Sequence, residues 1–145
     1  MASARSIRSR LVYLPGDVGR TAWRSGHPDV TRLLQNSITW MLRGQRPLLI
    51  RGEGVVEVFA WETEPGFALH VVNYNNTHLH RGSFRRHSPI GPQQVRWQLP
   101  RAAKVRTATL LRAEAALPLR QTGDVVEFTI PRVVDYEVAA LEVGD

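Results

Sequence analysis

Four histidines in the middle of the sequence raise the question of a metal site. His78 and His80 are two residues apart and would share one side of an extended chain, while His70 and His87 flank them. Three imidazoles can hold Zn²⁺ with a fourth position left open for water. No carboxylate residue lies near them in the sequence. We therefore predict loop and strand surface histidines, and neither a metal nor another cofactor.

A second group near the N-terminus combines the residue types of a catalytic triad. Asp17, Ser25 and His27 could in principle supply an acid, a nucleophile and a base. They lie, however, in a glycine-containing segment that leads directly into a predicted helix. There, Ser25 or His27 is suited to accept hydrogen bonds from the free backbone N–H groups of the first helical turn. We predict structural capping for this group.

The remaining polar residues do not form a recognisable catalytic set. Glu57, Glu62 and Glu64 occupy alternate positions of a predicted strand or the turn after it, and we expect them to face solvent. The chain contains no cysteine, which excludes disulfides, thiol chemistry and thiolate metal sites. We expect no enzymatic activity and no catalytic residue in this chain.

Aromatic residues are the better candidates for ligand binding, because a sugar ring can pack against a flat apolar ring face. Trp61 lies at a predicted strand end and Tyr74 at the mouth of a long loop, 75–93. These two are the predicted substrate-binding residues if the ligand is a glycan. Trp97 alternates with apolar neighbours and is expected to lie in the core.

The net charge of +6 arises from 18 arginines and one lysine against 13 acidic residues. The arginines are spread over the whole length, with one local cluster in "RGSFRRH" at 81–87. A dispersed excess of arginine is typical of a GC-rich coding sequence, so we predict no nucleic-acid partner. No apolar run approaches the roughly 20 residues needed to span a bilayer, so we predict a soluble protein without a membrane segment.

One amphipathic helix is predicted at 28–43. Apolar residues recur at helical spacing, Pro28 suits the first helical position, and Gly44 suits the left-handed position after the helix. The predicted interface residues on its apolar side are Val30, Leu33, Leu34 and Met41. Their burial would contribute about 1.5 to 3 kcal/mol each.

From Pro47 onward the apolar period changes to two, which is typical of strands. Seven strands are predicted, at 47–51, 54–61, 66–74, 94–99, 104–111, 124–130 and 135–143. Short connections separate most of them. This pattern predicts a mainly β fold, an antiparallel β-sandwich over 46–145.

The N-terminal segment 1–45 has a different character. The apolar run "RLVYL" at 10–14 reads as a buried strand, followed by a loop and then the helix. A strand covered by its following helix is the end of an α/β unit, whose other strands this chain does not supply. We therefore expect the segment to be the last piece of a larger α/β domain.

The stretch "RLVYLPGDVGRTAWRSGHPDVTRLLQNSITWML" resembles the closing segment of the glutamine-amidotransferase-like domain, also called the β-galactosidase trimerisation domain, of multi-domain bacterial glycoside hydrolases. "LHVVNY", "VRWQLP" and "IPRVVDYEVAALE" resemble, in order, the terminal β-sandwich of such enzymes. The resemblance implies a parent whose chemistry belongs to an N-terminal (β/α)8 barrel that this chain does not contain.

The expected function is accordingly that of a non-catalytic structural or oligomerisation module of a glycoside-hydrolase-like protein. Its expected partners are the missing barrel domain and further copies of the chain in a homo-oligomer. The alternative is a carbohydrate-binding β-sandwich module that uses the aromatic candidates named above.

Overall fold

The structure is a computed structural model and describes residues 10–75 and 87–144. The chain divides into two compact units, Met1–Arg46 and Pro47–Asp145. The strands are β1 Leu48–Arg51, β2 Val56–Thr63, β3 Gly66–Asn73, β4 Gln93–Gln98, β5 Lys104–Leu110, β6 Ala115–Ala116, β7 Leu119–Thr122, β8 Val125–Ile130 and β9 Tyr136–Gly144. The helices, both in the first unit, are α1 Val18–Ser25 and α2 Pro28–Met41.

The second unit has two antiparallel sheets in a β-sandwich-like arrangement. The four-stranded sheet has the order β1-β4-β8-β7, and the five-stranded sheet has the order β2-β3-β9-β5-β6. Every strand pair is antiparallel. The predicted mainly β, antiparallel sandwich is confirmed.

All seven predicted strands are present, with boundaries within two residues. The prediction missed β6 and β7. These strands have two and four residues, and Pro118 between them reads as a strand breaker because proline cannot donate to a sheet ladder.

The core forms where the inward residues of the two sheets meet. In β4, Val95 and Trp97 are buried while Arg96 between them is exposed, as the alternation predicts. From the other sheet, β3 contributes Phe67, which meets Trp97 edge to face. The other core residues of the sheets include Leu69, Val71, Leu110, Val126, Phe128, Ile130, Ala139 and Leu141.

The β2–β3 turn needs a glycine for a packing reason. A Cβ atom on Gly66 would collide with the carbonyl oxygen of Leu141 on β9. Gly66 is paired with Glu142 in the sheet register, so β9 lies directly beside the turn. Any side chain here would push the central strand of the five-stranded sheet away.

In the first unit, α2 begins as the sequence predicts and ends slightly earlier. His27 is the N-cap and its Nδ1 accepts a hydrogen bond from the Asp29 N–H at 3.3 Å. The last helical residue is Met41 rather than residue 43. Both Arg43 and Gly44 have positive φ, and the Gly44 N–H donates to the Thr39 carbonyl at 2.8 Å.

The predicted strand at 10–14 is wrong. These residues have no regular secondary structure, and Leu11 and Tyr13 are 84% and 82% exposed. An isolated strand leaves its backbone N–H and C=O groups unpaired, and no described strand of the chain pairs with this segment. The apolar run was therefore insufficient evidence for a strand.

The segment predicted as a loop, 15–26, contains helix α1 instead. Glycine, threonine and serine give it a low intrinsic helix propensity, which is why the sequence does not indicate a helix there. The helix ends at Ser25, and its C-cap Gly26 has a φ of 59°, the left-handed conformation that glycine adopts without strain. Pro28 then begins the next helix.

Candidate functional surfaces

The structure brings together no metal ligands among the residues it describes. His70 is half-buried on β3 and lies opposite Phe59 of β2. His78 and His80 lie outside the described residues, so the three-histidine arrangement is not tested. Within 10–75 and 87–144, no group of three or more histidine, aspartate or glutamate side chains could hold a metal ion.

His27 has the capping role that the sequence predicts, whereas the Asp17 side chain makes no cap hydrogen bond to α1. Ser25 Oγ donates to the Thr21 carbonyl at 2.6 Å and accepts from the His27 backbone N–H at 3.2 Å. Asp17 forms an ion pair with Arg20 at 2.9 Å. The His27 imidazole caps α2. Each polar group is thus engaged with its own helix.

Several carboxylates of the second unit are likewise bound to neighbouring groups. Glu62 accepts from Arg101 Nε at 2.7 Å. Asp135 accepts from Arg112 Nη2 at 2.9 and 3.1 Å, and the Arg112 guanidinium lies 4.5 Å from the centre of the Tyr136 ring. A hydrogen bond from the Tyr136 backbone N–H is the main cause that lowers the pKa of Asp135, and the charge of Arg112 lowers it further against a raising effect of burial.

Glu137 is a buried carboxylate that the sequence analysis did not single out. It is 3% exposed, and its oxygens accept from the backbone N–H groups of Arg112, Ala113 and Val138 at 2.8 to 3.1 Å. The sequence contained an indication of this burial. Glu137 lies two and four residues before Ala139 and Leu141 on one strand, so its side chain is on the same, inward side. Its role is to hold the turn that follows β5.

Trp61 and Phe59 form an exposed aromatic surface. The sequence analysis predicted a binding role for Trp61 but not for Phe59. Trp61 and Phe59 are two apart on β2, so their side chains lie on the same side, and they are 60% and 47% exposed. Ala68, His70 and Val72 of β3 line the same shallow depression. Its lining is mostly apolar, with Glu62 and Thr63 at one end.

Tyr74 is not part of this aromatic surface. Trp61 is paired with Ala68, six residues before Tyr74 on the same chain segment, which corresponds to about 20 Å along an extended strand. Tyr74 is half-buried at the opposite end of the β2–β3 hairpin, where its N–H donates to the Val55 carbonyl. Most of the loop predicted to join it, 75–93, lies outside the described residues. Trp97 is in the core as predicted.

Within the first unit, the apolar side of α2 is largely uncovered. Leu33 and Met41 are 46% and 38% exposed, while Val30 and Leu34 are half-buried. Ile38, on the same side, is 52% exposed. Neither α1 nor α2 contains a buried residue, and none of residues 10–46 is buried. We call Val30, Leu33, Leu34, Ile38 and Met41 the apolar side of α2.

No helix in the part of the chain that the structure describes is both long and apolar enough to cross a bilayer.

Comparison with known proteins finds similarity in fold to part of a solved glycoside hydrolase. No protein-family model matches the chain, and no curated protein matches it. Among solved structures, it is similar to alpha-L-fucosidase isoenzyme 2 from Paenibacillus thiaminolyticus, with a TM-score of 0.71 and 18% identity. The match covers 88% of this chain and 20% of the fucosidase chain. The chain thus shares its fold with about one fifth of a glycoside hydrolase.

Proposed function

We propose that this chain is a non-catalytic accessory module of a glycoside-hydrolase-like protein, and that α1 and α2 dock on another part of that protein. The observation that carries the proposal is the absence of any buried residue from residues 10–46. The apolar side of α2 is exposed where a helix of a globular protein normally buries it.

The energetics of the helices support a missing contact. Ordering a residue costs about 1 to 2 kcal/mol in backbone entropy, and helices of fewer than about 12 to 15 residues are marginal alone in water. α1 has 8 residues and α2 has 14. Because neither helix has a buried apolar side, α1 and α2 lack the packing energy that stabilises most helices in proteins. A protein surface that covers α2 would supply it.

The proposed occupant is an adjoining domain of the same glycoside-hydrolase-like polypeptide. The similarity to a fucosidase chain about five times longer than the matched part supports this choice. The resemblance to the closing segment of a trimerisation domain and a terminal β-sandwich agrees with it, and implies a catalytic barrel elsewhere in the parent. A homo-oligomer that uses the same side of α2 is a further partner consistent with that resemblance.

The pairing of the carboxylates supports a non-catalytic module. Glycoside hydrolysis normally needs two carboxyl groups that flank the sugar, one of them free to transfer a proton. Here Glu62 and Asp135 are held by arginines, and Glu137 accepts three backbone hydrogen bonds. These contacts give Glu62, Asp135 and Glu137 structural roles.

Self-association of the full chain tests the proposal, because an apolar side left uncovered drives contact between copies. We expect sedimentation velocity to show concentration-dependent association and the dye ANS to bind. Leu33→Asp should reduce both, whereas the matched control Gln35→Asp on the polar side should not. A monomer that binds no ANS, or equal effects of the two substitutions, would contradict the proposal.

A carbohydrate-binding module is the second candidate, favoured by the exposed pair Phe59 and Trp61. Two aromatic rings on one side of a strand offer a flat platform to successive sugar rings. In this candidate the sandwich binds a glycan on the outward side of its five-stranded sheet.

A further inference from the structure

The outward side of the four-stranded sheet carries three arginines on three different strands. Arg51 lies on β1, Arg96 on β4 and Arg120 on β7, and all three line one groove of about 420 Å³. Leu49, Gln94, Glu127 and Thr129 line it as well. This groove belongs to neither of the surfaces discussed above, and we refer to it as the arginine groove.

The sheet register places these side chains in two rows. Arg96 is paired with Glu127, and Glu127 with Arg120, so one row runs Arg96–Glu127–Arg120 across β4, β8 and β7. Neighbouring strands are about 4.8 Å apart, which puts the backbones of the two arginines about 10 Å from each other. Arg51 is paired with Gln94 in the adjacent row.

Ion pairing compensates one of the three positive charges. Arg96 Nε lies 3.9 Å from Glu127 Oε1, and both side chains are about half exposed. Such a cross-strand pair is ordinary sheet stabilisation. Arg51 and Arg120 make no side-chain hydrogen bond or ion pair with any residue in 10–75 or 87–144. Among the described residues, the groove therefore has two guanidinium groups without an ion-pair partner.

We propose that the arginine groove binds an acidic glycan through its carboxylate groups. A guanidinium presents a planar fork of N–H donors that matches a carboxylate in bidentate geometry. The guanidinium groups of Arg51 and Arg120, on opposite sides of the groove, would bind two acidic groups of one oligosaccharide. This proposal stands on the groove alone and does not depend on the docking of α2.

The other groups of the groove favour a sugar acid over a phosphodiester chain. Glu127 lies between Arg96 and Arg120 in the sheet register, and its negative charge disfavours a ligand with closely spaced phosphates. The Gln94 amide and the Thr129 hydroxyl both donate and accept, which suits sugar hydroxyl groups. Leu49 adds an apolar contact for the C–H groups of a ring.

Calorimetric titration of the full chain with a short oligogalacturonate tests the proposal. The double variant Arg51→Gln/Arg120→Gln removes the two unbalanced charges. Arg32→Gln/Arg132→Gln is the matched control, since it removes the same charge from exposed positions outside the groove. A neutral galacto-oligosaccharide and a single-stranded oligonucleotide of the same charge serve as comparison ligands. Thermal unfolding of both variants should match the wild type, because all four side chains are exposed.

We expect the oligogalacturonate to bind the wild type and the control variant, and the groove variant to bind at least about tenfold more weakly. Added salt should weaken binding, and the neutral sugar should not bind. The proposal is overturned if the wild type does not bind the oligogalacturonate, or if both double variants lose affinity equally. Tighter binding of the oligonucleotide than of the sugar acid would also overturn it, in favour of a nucleic-acid surface.

Discussion

Phe67 and Trp97 join the two sheets of the sandwich through an edge-to-face contact, with ring centroids 5.9 Å apart and an interplanar angle of 73°. Phe67 is 1% and Trp97 4% exposed. Edge-to-face pairs contribute about 0.5 to 1.5 kcal/mol beyond the burial of their surface. The contact links β3 of one sheet to β4 of the other, so it is a sensitive point of the fold.

Trp97→Ala should therefore lower the free energy of unfolding by about 3 to 5 kcal/mol, because it leaves a cavity between the sheets. Trp61→Ala is the matched control, since that ring is 60% exposed; its effect should stay within about 0.5 kcal/mol. Urea unfolding followed by far-ultraviolet circular dichroism measures both. Equal losses in the two variants would contradict the assignment of Trp97 to the core.

Glu137→Ala should destabilise the second unit by about 2 to 3 kcal/mol, because it leaves backbone N–H groups without an acceptor. Glu142→Ala on the same strand is the control. Glu142 is exposed and accepts from Thr107 Oγ1 at 2.8 Å, so its removal should cost less than about 1 kcal/mol. The same unfolding assay applies, and a larger loss for the control would refute the role given to Glu137.

The lowered pKa of Asp135 predicts a loss of stability in acid. The ordinary aspartate pKa is about 3.9, and in the folded state it is lower. Above the unfolded pKa both states are ionised and the stabilisation is fully present; as the pH falls toward the folded pKa, the unfolded chain takes up the proton first. The stability from Asp135 is thus lost below about pH 4.

Asp135→Asn should flatten this part of the pH profile. We would measure urea midpoints of the wild type and the variant between pH 6 and the acid limit of reversible unfolding. The difference between the two proteins should be largest near neutral pH and shrink in acid. A difference that stays constant with pH would show that Asp135 contributes no proton-linked stability.

For the carbohydrate-binding candidate, affinity electrophoresis through gels that contain soluble glycans is the direct measurement. If the aromatic surface binds, migration of the wild type is retarded, and Trp61→Ala and Phe59→Ala remove the retardation. Tyr74→Ala should leave it largely intact for short ligands, because Tyr74 lies about 20 Å along the strand from Trp61. Retardation that survives both of the first two substitutions would rule out this surface.

Sequence patterns predicted the second unit well because alternation of apolar residues is a local consequence of strand geometry. In "QVRWQL" the buried and exposed positions follow directly from the pleat. The first unit was predicted less well. The run at 10–14 resembles a buried strand in composition. A strand, however, is stable only when it pairs with another strand, and the local sequence does not show whether such a strand is present.

The candidate surfaces show the same limit. Sequence identified Trp61 as an aromatic residue at a strand end, but the role of Phe59 beside it and the distance to Tyr74 depend on strand register. Arg51, Arg96 and Arg120 are 45 and 24 residues apart in sequence, and the order β1-β4-β8-β7 brings them to one groove. No local pattern could have indicated their proximity.

The position of β9 between β3 and β5 has a consequence for biosynthesis. A nascent chain emerges from the ribosome with β3 and β5 already made, yet β9, which pairs with both, follows only with residues 136–144. Until then, the facing edges of β3 and β5 lack the strand that pairs with them and are open to pairing with other nascent chains. Pairing at such sequence separation is also intrinsically slow. If translation stalls when the chain has emerged up to a residue between 111 and 135, we therefore expect an aggregation-prone species that recruits chaperones. A stall after residue 144 has emerged should not produce such a species.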